Sequence, residues 1–138
     1  MEPSTELKNF MLRFYEALGK ADHTFFERHI SEKAGMLAIG TDPKEWWSGK
    51  SIFVPVLKAQ LEEMGGFPLV ADAPQAYSEG SVGWVADQPR LSLPDGVEMR
   101  IRLTLVCHKE NNDWKIVQWH ASLGVSNEEA LGQELTTE

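Results

Sequence analysis

Cysteine is nearly absent from this sequence: Cys107 is the one thiol among 138 residues. No internal disulfide can form, and no zinc site built on several cysteines is available. Long hydrophobic runs are missing as well. No apolar stretch approaches the roughly 20 residues a membrane-spanning helix needs. The segment Met1-Glu2-Pro3-Ser4-Thr5-Glu6 is acidic and polar, unlike a secretory signal with its basic start and apolar centre. Together these features point to a reducing, cytoplasmic setting. Positive charge is also in short supply, with 13 Lys and Arg against 21 Asp and Glu for a net charge of −8. DNA, RNA and anionic lipid repel such a chain, so neither a nucleic-acid nor a membrane partner is expected. The four histidines, His23, His29, His108 and His120, include no helical i,i+4 pair with an adjoining acid. No metal and no other cofactor is expected.

The length suits one domain, placed here at residues 1–125, with 126–138 as a polar acidic tail. Leu7, Phe10, Met11, Phe14 and Leu18 recur at steps of three and four, the stripe of an amphipathic helix. Ser4 or Thr5 can cap its start and Gly19 its end. Asp22 opens a second, shorter helix reaching about Ile30. Met36 to Ile39 is too short for a helix and reads as a strand, and residues 40–49 read as a loop. A third helix begins near Ser51, with Phe53, Leu57, Leu61 and Met64 as its stripe, and ends at Gly65-Gly66.

Beyond residue 66 the period changes to two. Strands are predicted over 69–77, where Pro74 demands an edge or a bulge, then over 82–91, 97–109 and 114–125. Pro94-Asp95-Gly96 and Asn111-Asn112-Asp113 supply turns. Helices first and strands second imply an α+β fold rather than a wound parallel sheet. Long strands joined by short turns imply a curved antiparallel meander closed by the helices.

The stretch Trp114-Lys115-Ile116-Val117-Gln118-Trp119-His120-Ala121-Ser122 resembles the ending of a SnoaL-like domain, a branch of the nuclear transport factor 2 superfamily. The segment from Gly40 through Trp47 to Gly49 and the run Arg102-Leu103-Thr104 are similar to it too. The resemblance covers about residues 5–125. It implies a cone-shaped, curved antiparallel (mixed) sheet with the N-terminal helices on its concave face, and a small-molecule pocket. Relatives include polyketide cyclases, a ketosteroid isomerase, scytalone dehydratase and a kinase association domain, so the fold alone does not choose among functions. Those isomerases and cyclases use an acidic base, and no carboxylate of this chain matches that position by motif. Asp87, on the strand with Trp84, is the acid that remains.

Strict alternation puts Trp114, Ile116, Gln118, His120 and Ser122 on one side of the last strand. Val117, Trp119, Ala121 and Leu123 fall on the other. The first set mixes apolar and hydrogen-bonding groups, as a cavity wall does; the second suits a homodimer interface through the outer sheet face. An even-numbered turn at Asn111 is expected, because it sets a continuous apolar stripe against the helices; it would place Leu103 opposite His120 and Leu105 opposite Gln118, add Met99, Ile101, Leu103 and Leu105 to the wall and send Arg100, Arg102 and Thr104 outward. An odd turn or a bulge would instead put Arg102 beside His120. The ligand-binding candidates are Tyr15, Trp47, Trp84, Leu103, Gln118, His120 and Ser122. His120 reads either as an acid–base group, paired with Asp87, or as a buried histidine held by a tyrosine or a carbonyl. Three functions stay open: a binder of a partly apolar small molecule, a proton-transfer enzyme (isomerase, dehydratase or cyclase) using His120 and Asp87, and a homo-oligomeric association module.

Overall fold

Ser4 fixes the start of the first helix: its Oγ accepts a hydrogen bond from Leu7 N at 3.1 Å, giving a partner to one of the amides that open every helix. In the computed structural model, which describes residues Met1 to Glu138, α1 spans Thr5–Gly19 and buries the expected stripe together with Tyr15 and Ala17. Helix α2 spans His23–His29 and α3 spans Lys50–Met64. A last short helix, α4, spans Asn127–Leu131 and buries no residue. Asp22 stands at the start of α2, but its carboxylate accepts the Thr24 hydroxyl at 2.6 Å rather than capping the backbone.

Nine strands follow the change of period more finely than the sequence predicts: β1 (Glu2–Pro3), β2 (Leu37–Ile39), β3 (Trp46–Ser48), β4 (Leu69–Val70), β5 (Gln75–Glu79), β6 (Val82–Asp87), β7 (Arg90–Ser92), β8 (Glu98–Glu110) and β9 (Asp113–Leu123). The order across the sheet is β1-β5-β6-β8-β9-β2-β3, and β7 pairs with both β8 and β4. Every pairing of these strands is antiparallel except β2 with β9. The result is an α+β fold whose mixed sheet curls around the helices without closing.

Two predicted strands are broken. The 69–77 strand splits before Pro74 and the 82–91 strand splits at Gln88-Pro89, because proline cannot donate to a ladder. The breaks allow the curl: β8 pairs through Leu103–His108 with β6 and through Glu98–Arg100 with β7, so one long strand serves two differently directed partners. The loop predicted over 40–49 contains β3, which pairs with β2. Helix α1 approaches β6 so closely that a Cβ on Gly83 would stand 2.4 Å from Leu7 Cδ1.

The β8–β9 hairpin turns on Asn111 and Asn112, both at positive φ (53° and 63°), as a two-residue hairpin loop requires. The turn is even, as expected. Four residues into the strand, however, the register slips. Cys107 faces Ile116 while Val106 faces Gln118, so Val117 is an extra residue, a β-bulge. From there on Leu105 faces Trp119, Thr104 faces His120, Leu103 faces Ala121 and Arg102 faces Ser122. The expectation that Leu103 faces His120 is therefore corrected. Trp119 is buried at the centre of the core, with ring centroids 4.7 Å from Phe14, 5.0 Å from Phe53 and 5.7 Å from Phe26. Each such aromatic pair adds about 0.5–1.5 kcal/mol beyond its buried area.

Candidate functional site

A cavity of about 210 Å³ lies between α3, the end of α1 and the inner face of the sheet. Its walls are apolar. The sheet contributes Leu103, Trp119 and Ala121, α3 contributes Phe53 and Leu57, and β3 contributes Trp47. Leu91, Met99 and Ile101 line the far end, where β7 and β8 diverge from β6. The bulge at Val117 makes this wall apolar, because it turns Trp119, Ala121 and Leu123 inward while Ile116 stays inward before it.

Three polar side chains reach the cavity: Thr41, Glu45 and Gln60. Glu45 closes the loop between β2 and β3. Its amide donates to Asp42 O at 2.9 Å and its carbonyl accepts from Gly40 N at 2.8 Å. The side chain folds back over Gly40, where a Cβ would stand 2.8 Å from Glu45 Cβ, so a larger residue there would push Glu45 out of place. Oε1 accepts from Asp42 N at 2.9 Å, and Oε2 accepts from Gln60 Nε2 at 2.7 Å. Neither residue was among the sequence candidates. Gln60 did leave a signal: it sits three residues beyond Leu57, a polar side chain on the buried stripe of α3. Glu45 left none, because its position depends on how the loop folds.

Of the seven ligand-binding candidates, Trp47 and Leu103 line the cavity. Gln118, His120 and Ser122 do not: past the bulge they occupy the outer face with Arg102, Thr104 and Val106. Trp84 is also on the outer face, stacked on Tyr77 with ring centroids 5.5 Å apart. Tyr15 is buried in the core, and its hydroxyl donates to Asp87 Oδ2 at 2.8 Å. Burial, helped by that hydrogen bond and the Asp87 charge, raises the Tyr15 pKa well above its ordinary value.

The pairing of His120 with Asp87 as acid and base is corrected on the same grounds. Asp87 is buried on the inner face, whereas His120 is exposed on the outer one. Asp87 is also fully occupied. Oδ1 accepts from Ala73 N at 3.0 Å and Gln88 N at 2.8 Å, and Oδ2 accepts from Tyr15 Oη and from Asp72 N at 3.1 Å. Four donors fill the four lone-pair positions of a carboxylate. Arg102 does share a face with His120, but outside the sheet and away from the cavity. The interface set needs correcting too, since Trp119 and Leu123 line the cavity and Val117 is the bulge.

A curled sheet with three N-terminal helices over its concave side and an apolar pocket between them defines an α+β pocket protein of the nuclear transport factor 2 type. The chain belongs to the SnoaL-like domain family, whose pattern matches residues 7–126. Solved structures agree. A nuclear transport factor 2-like protein of unknown function from Pseudomonas putida KT2440 superposes with a TM-score of 0.79 at 14% identity, over 97% of this chain and 94% of that one. A provisionally assigned calcium/calmodulin-dependent protein kinase type II association domain from Thiobacillus denitrificans gives 0.72 at 18% identity, over 91% and 98%. A provisionally assigned dehydratase of the same superfamily from Streptomyces avermitilis gives 0.69 at 16% identity, over 82% and 89%. At these identities the likeness speaks for the fold alone. No curated protein matches the chain in sequence.

Proposed function

We propose that this protein binds a small, largely apolar molecule in the cavity between α3 and the sheet. The observation that carries the reading is the wall itself: 15 of the 19 lining residues are hydrophobic. A dry apolar cavity of about 150 Å³ takes up benzene, so one of about 210 Å³ suits an aromatic ring with a short substituent. A few polar groups at one end are the usual means of orienting such a ligand. Propylbenzene is a fitting probe. It should raise the melting temperature and shift the indole signals of Trp47 and Trp119. Ala121→Phe, which fills the cavity from β9, should remove both responses while the protein stays folded. No response of the native protein to saturating propylbenzene would reject the reading.

A homodimer through the outer face is a second reading, supported by the stacked Tyr77–Trp84 pair there. Cross-strand pairing places Tyr77, Trp84, Val106, Gln118 and Leu37 in one row across five strands. Trp46, on the same face, is 63% exposed. Adjacent apolar side chains of this kind suit a partner surface, and one structural relative is described as an association domain. Light scattering should give twice the chain mass at micromolar concentration, and Trp84→Glu should return a monomer, since burying an unpaired charge costs several kcal/mol. A native monomer would reject it.

A further inference from the structure

The charge lining the cavity is of one sign. Glu45 offers only acceptors, as any ionised carboxylate does. Each of its oxygens already holds one donor, from Asp42 N and from Gln60 Nε2, and each keeps a further lone pair. One N–H of the Gln60 amide is engaged by Glu45, and its carbonyl oxygen is a further acceptor open to a ligand. Uncharged donors are present as well, in the Thr41 hydroxyl, the second N–H of Gln60 and the indoles of Trp47 and Trp119, so it is charge that sets the preference.

That charge has no counterpart. No Lys, Arg or His lines the cavity, and Glu45 forms no ion pair with any cation of the chain. A ligand carboxylate or phosphate would bring a second negative charge beside Glu45 with nothing to offset it, which is strongly disfavoured. A cation meets the opposite conditions. The aromatic side chains Trp47, Phe53, Phe67 and Trp119 line the same space, and ring faces also favour positive charge.

From this geometry we infer that the ligand is an apolar amine, its body held by the aromatic and aliphatic walls and its ammonium N–H groups donating to the Glu45 carboxylate and the Gln60 carbonyl. The inference rests on the cavity being an apolar binding site. It adds which end of the ligand is polar, and with what charge. The arrangement also makes Gln60 a positioning residue, since its amide fixes the carboxylate that meets the ligand.

Four probes of nearly equal shape separate the possibilities: 2-phenylethylamine, 2-phenylethanol, propylbenzene and phenylacetate, each titrated into the native protein near neutral pH and followed by calorimetry. The amine should bind at least about ten-fold more tightly than propylbenzene, a difference of about 1.4 kcal/mol, and phenylacetate should be the weakest. Glu45→Gln, which keeps an acceptor for Asp42 N, should bring amine affinity down to that of propylbenzene measured on the same variant. A readout in the native protein needs no variant: the Gln60 side-chain NH2 signals should shift with the amine and not with propylbenzene. Propylbenzene or 2-phenylethanol binding as tightly as the amine, or a Gln60 signal unmoved at amine saturation, would overturn the inference while leaving the apolar pocket intact. Binding of none of the four would remove the pocket reading and this inference together.

Discussion

All four lone-pair positions of the Asp87 carboxylate are filled by Tyr15, Asp72, Ala73 and Gln88, whereas Glu45 has two filled and two open. The same functional group thus holds the fold together at one place and faces the cavity at the other. Tyr15→Phe removes a buried hydrogen bond to a charged acceptor, so it should cost about 1.5–3 kcal/mol in a urea titration while leaving probe binding in the cavity unchanged. Its pH dependence follows from the raised Tyr15 pKa. The phenol stays protonated in the folded chain and ionises near pH 10 in the unfolded one. The stability it contributes is complete below about pH 10 and is lost as pH rises beyond that, because the unfolded state releases its proton first. Native protein should therefore lose stability more steeply above pH 10 than Tyr15→Phe does. A second check concerns Cys107, which is fully buried and whose thiol burial pushes up to about 12. It should react with a disulfide reagent at pH 8 only once the protein is unfolded, and prompt reaction of the folded chain would contradict that burial.

Strand β9 is where the element scale matters most. Strict alternation puts Gln118, His120 and Ser122 with Trp114 and Ile116; one extra residue at Val117 separates them. The sequence carried a trace of this, since Ile116 and Val117 are adjacent aliphatics. A single skip there gathers Trp114, Ile116, Trp119, Ala121 and Leu123 on one side and leaves Lys115, Gln118, His120 and Ser122 on the other. Burial selects the skipped register because a slip of one residue exchanges the whole core set for the solvent set. Deleting Val117 removes the skip: Ile116, Gln118 and Trp119 then alternate opposite Cys107, Val106 and Leu105, and Trp119, Ala121 and Leu123 keep their inward side. The deletion variant should therefore retain cooperative thermal unfolding and the dispersed amide spectrum of a packed core; loss of both would show that the fold needs the bend and added twist of the bulge itself. Breaks at Pro74 and Pro89 act at the same scale. They shorten two strands and release the backbone amides of Asp72, Ala73 and Gln88 to Asp87.

Across the whole molecule, the buried core draws on α1, α2, α3 and the inner sheet face, and the chain beyond Leu123 adds no buried residue. Helix α4 is capped by Ser126 Oγ, which accepts from Glu129 N at 3.1 Å, yet it buries nothing. Truncation after Val125 should change stability by less than about 1 kcal/mol, a shift of no more than about 4 °C in melting temperature for a domain near this size. A larger drop would mean that the tail contributes to the fold, for instance by covering the outer face. No helix is long and apolar enough to cross a membrane.

What the sequence determined by itself was everything set by local period and local chemistry. Leu7 to Leu18 at helical spacing specified α1 and its buried side. Asn111-Asn112 specified a two-residue turn, and the alternation of Leu103, Leu105 and Cys107 identified the inner face of β8. Leu103 could be read as a pocket residue from the alternation of its strand, whereas Trp47 was a candidate from a segment read as a loop and owes its inward side to β3. The tertiary structure decided what depends on counting residues between distant partners. It set the register of β9 after the bulge, moving His120 away from Asp87 and Trp119 into the core. It also brought Glu45 and Gln60, 15 residues apart in the chain, within 2.7 Å. Period two repeats identically on both sides of a bulge, so the pattern cannot reveal which side a strand presents. That choice rests on the sum of burial over the whole sheet, and with it the composition of the pocket.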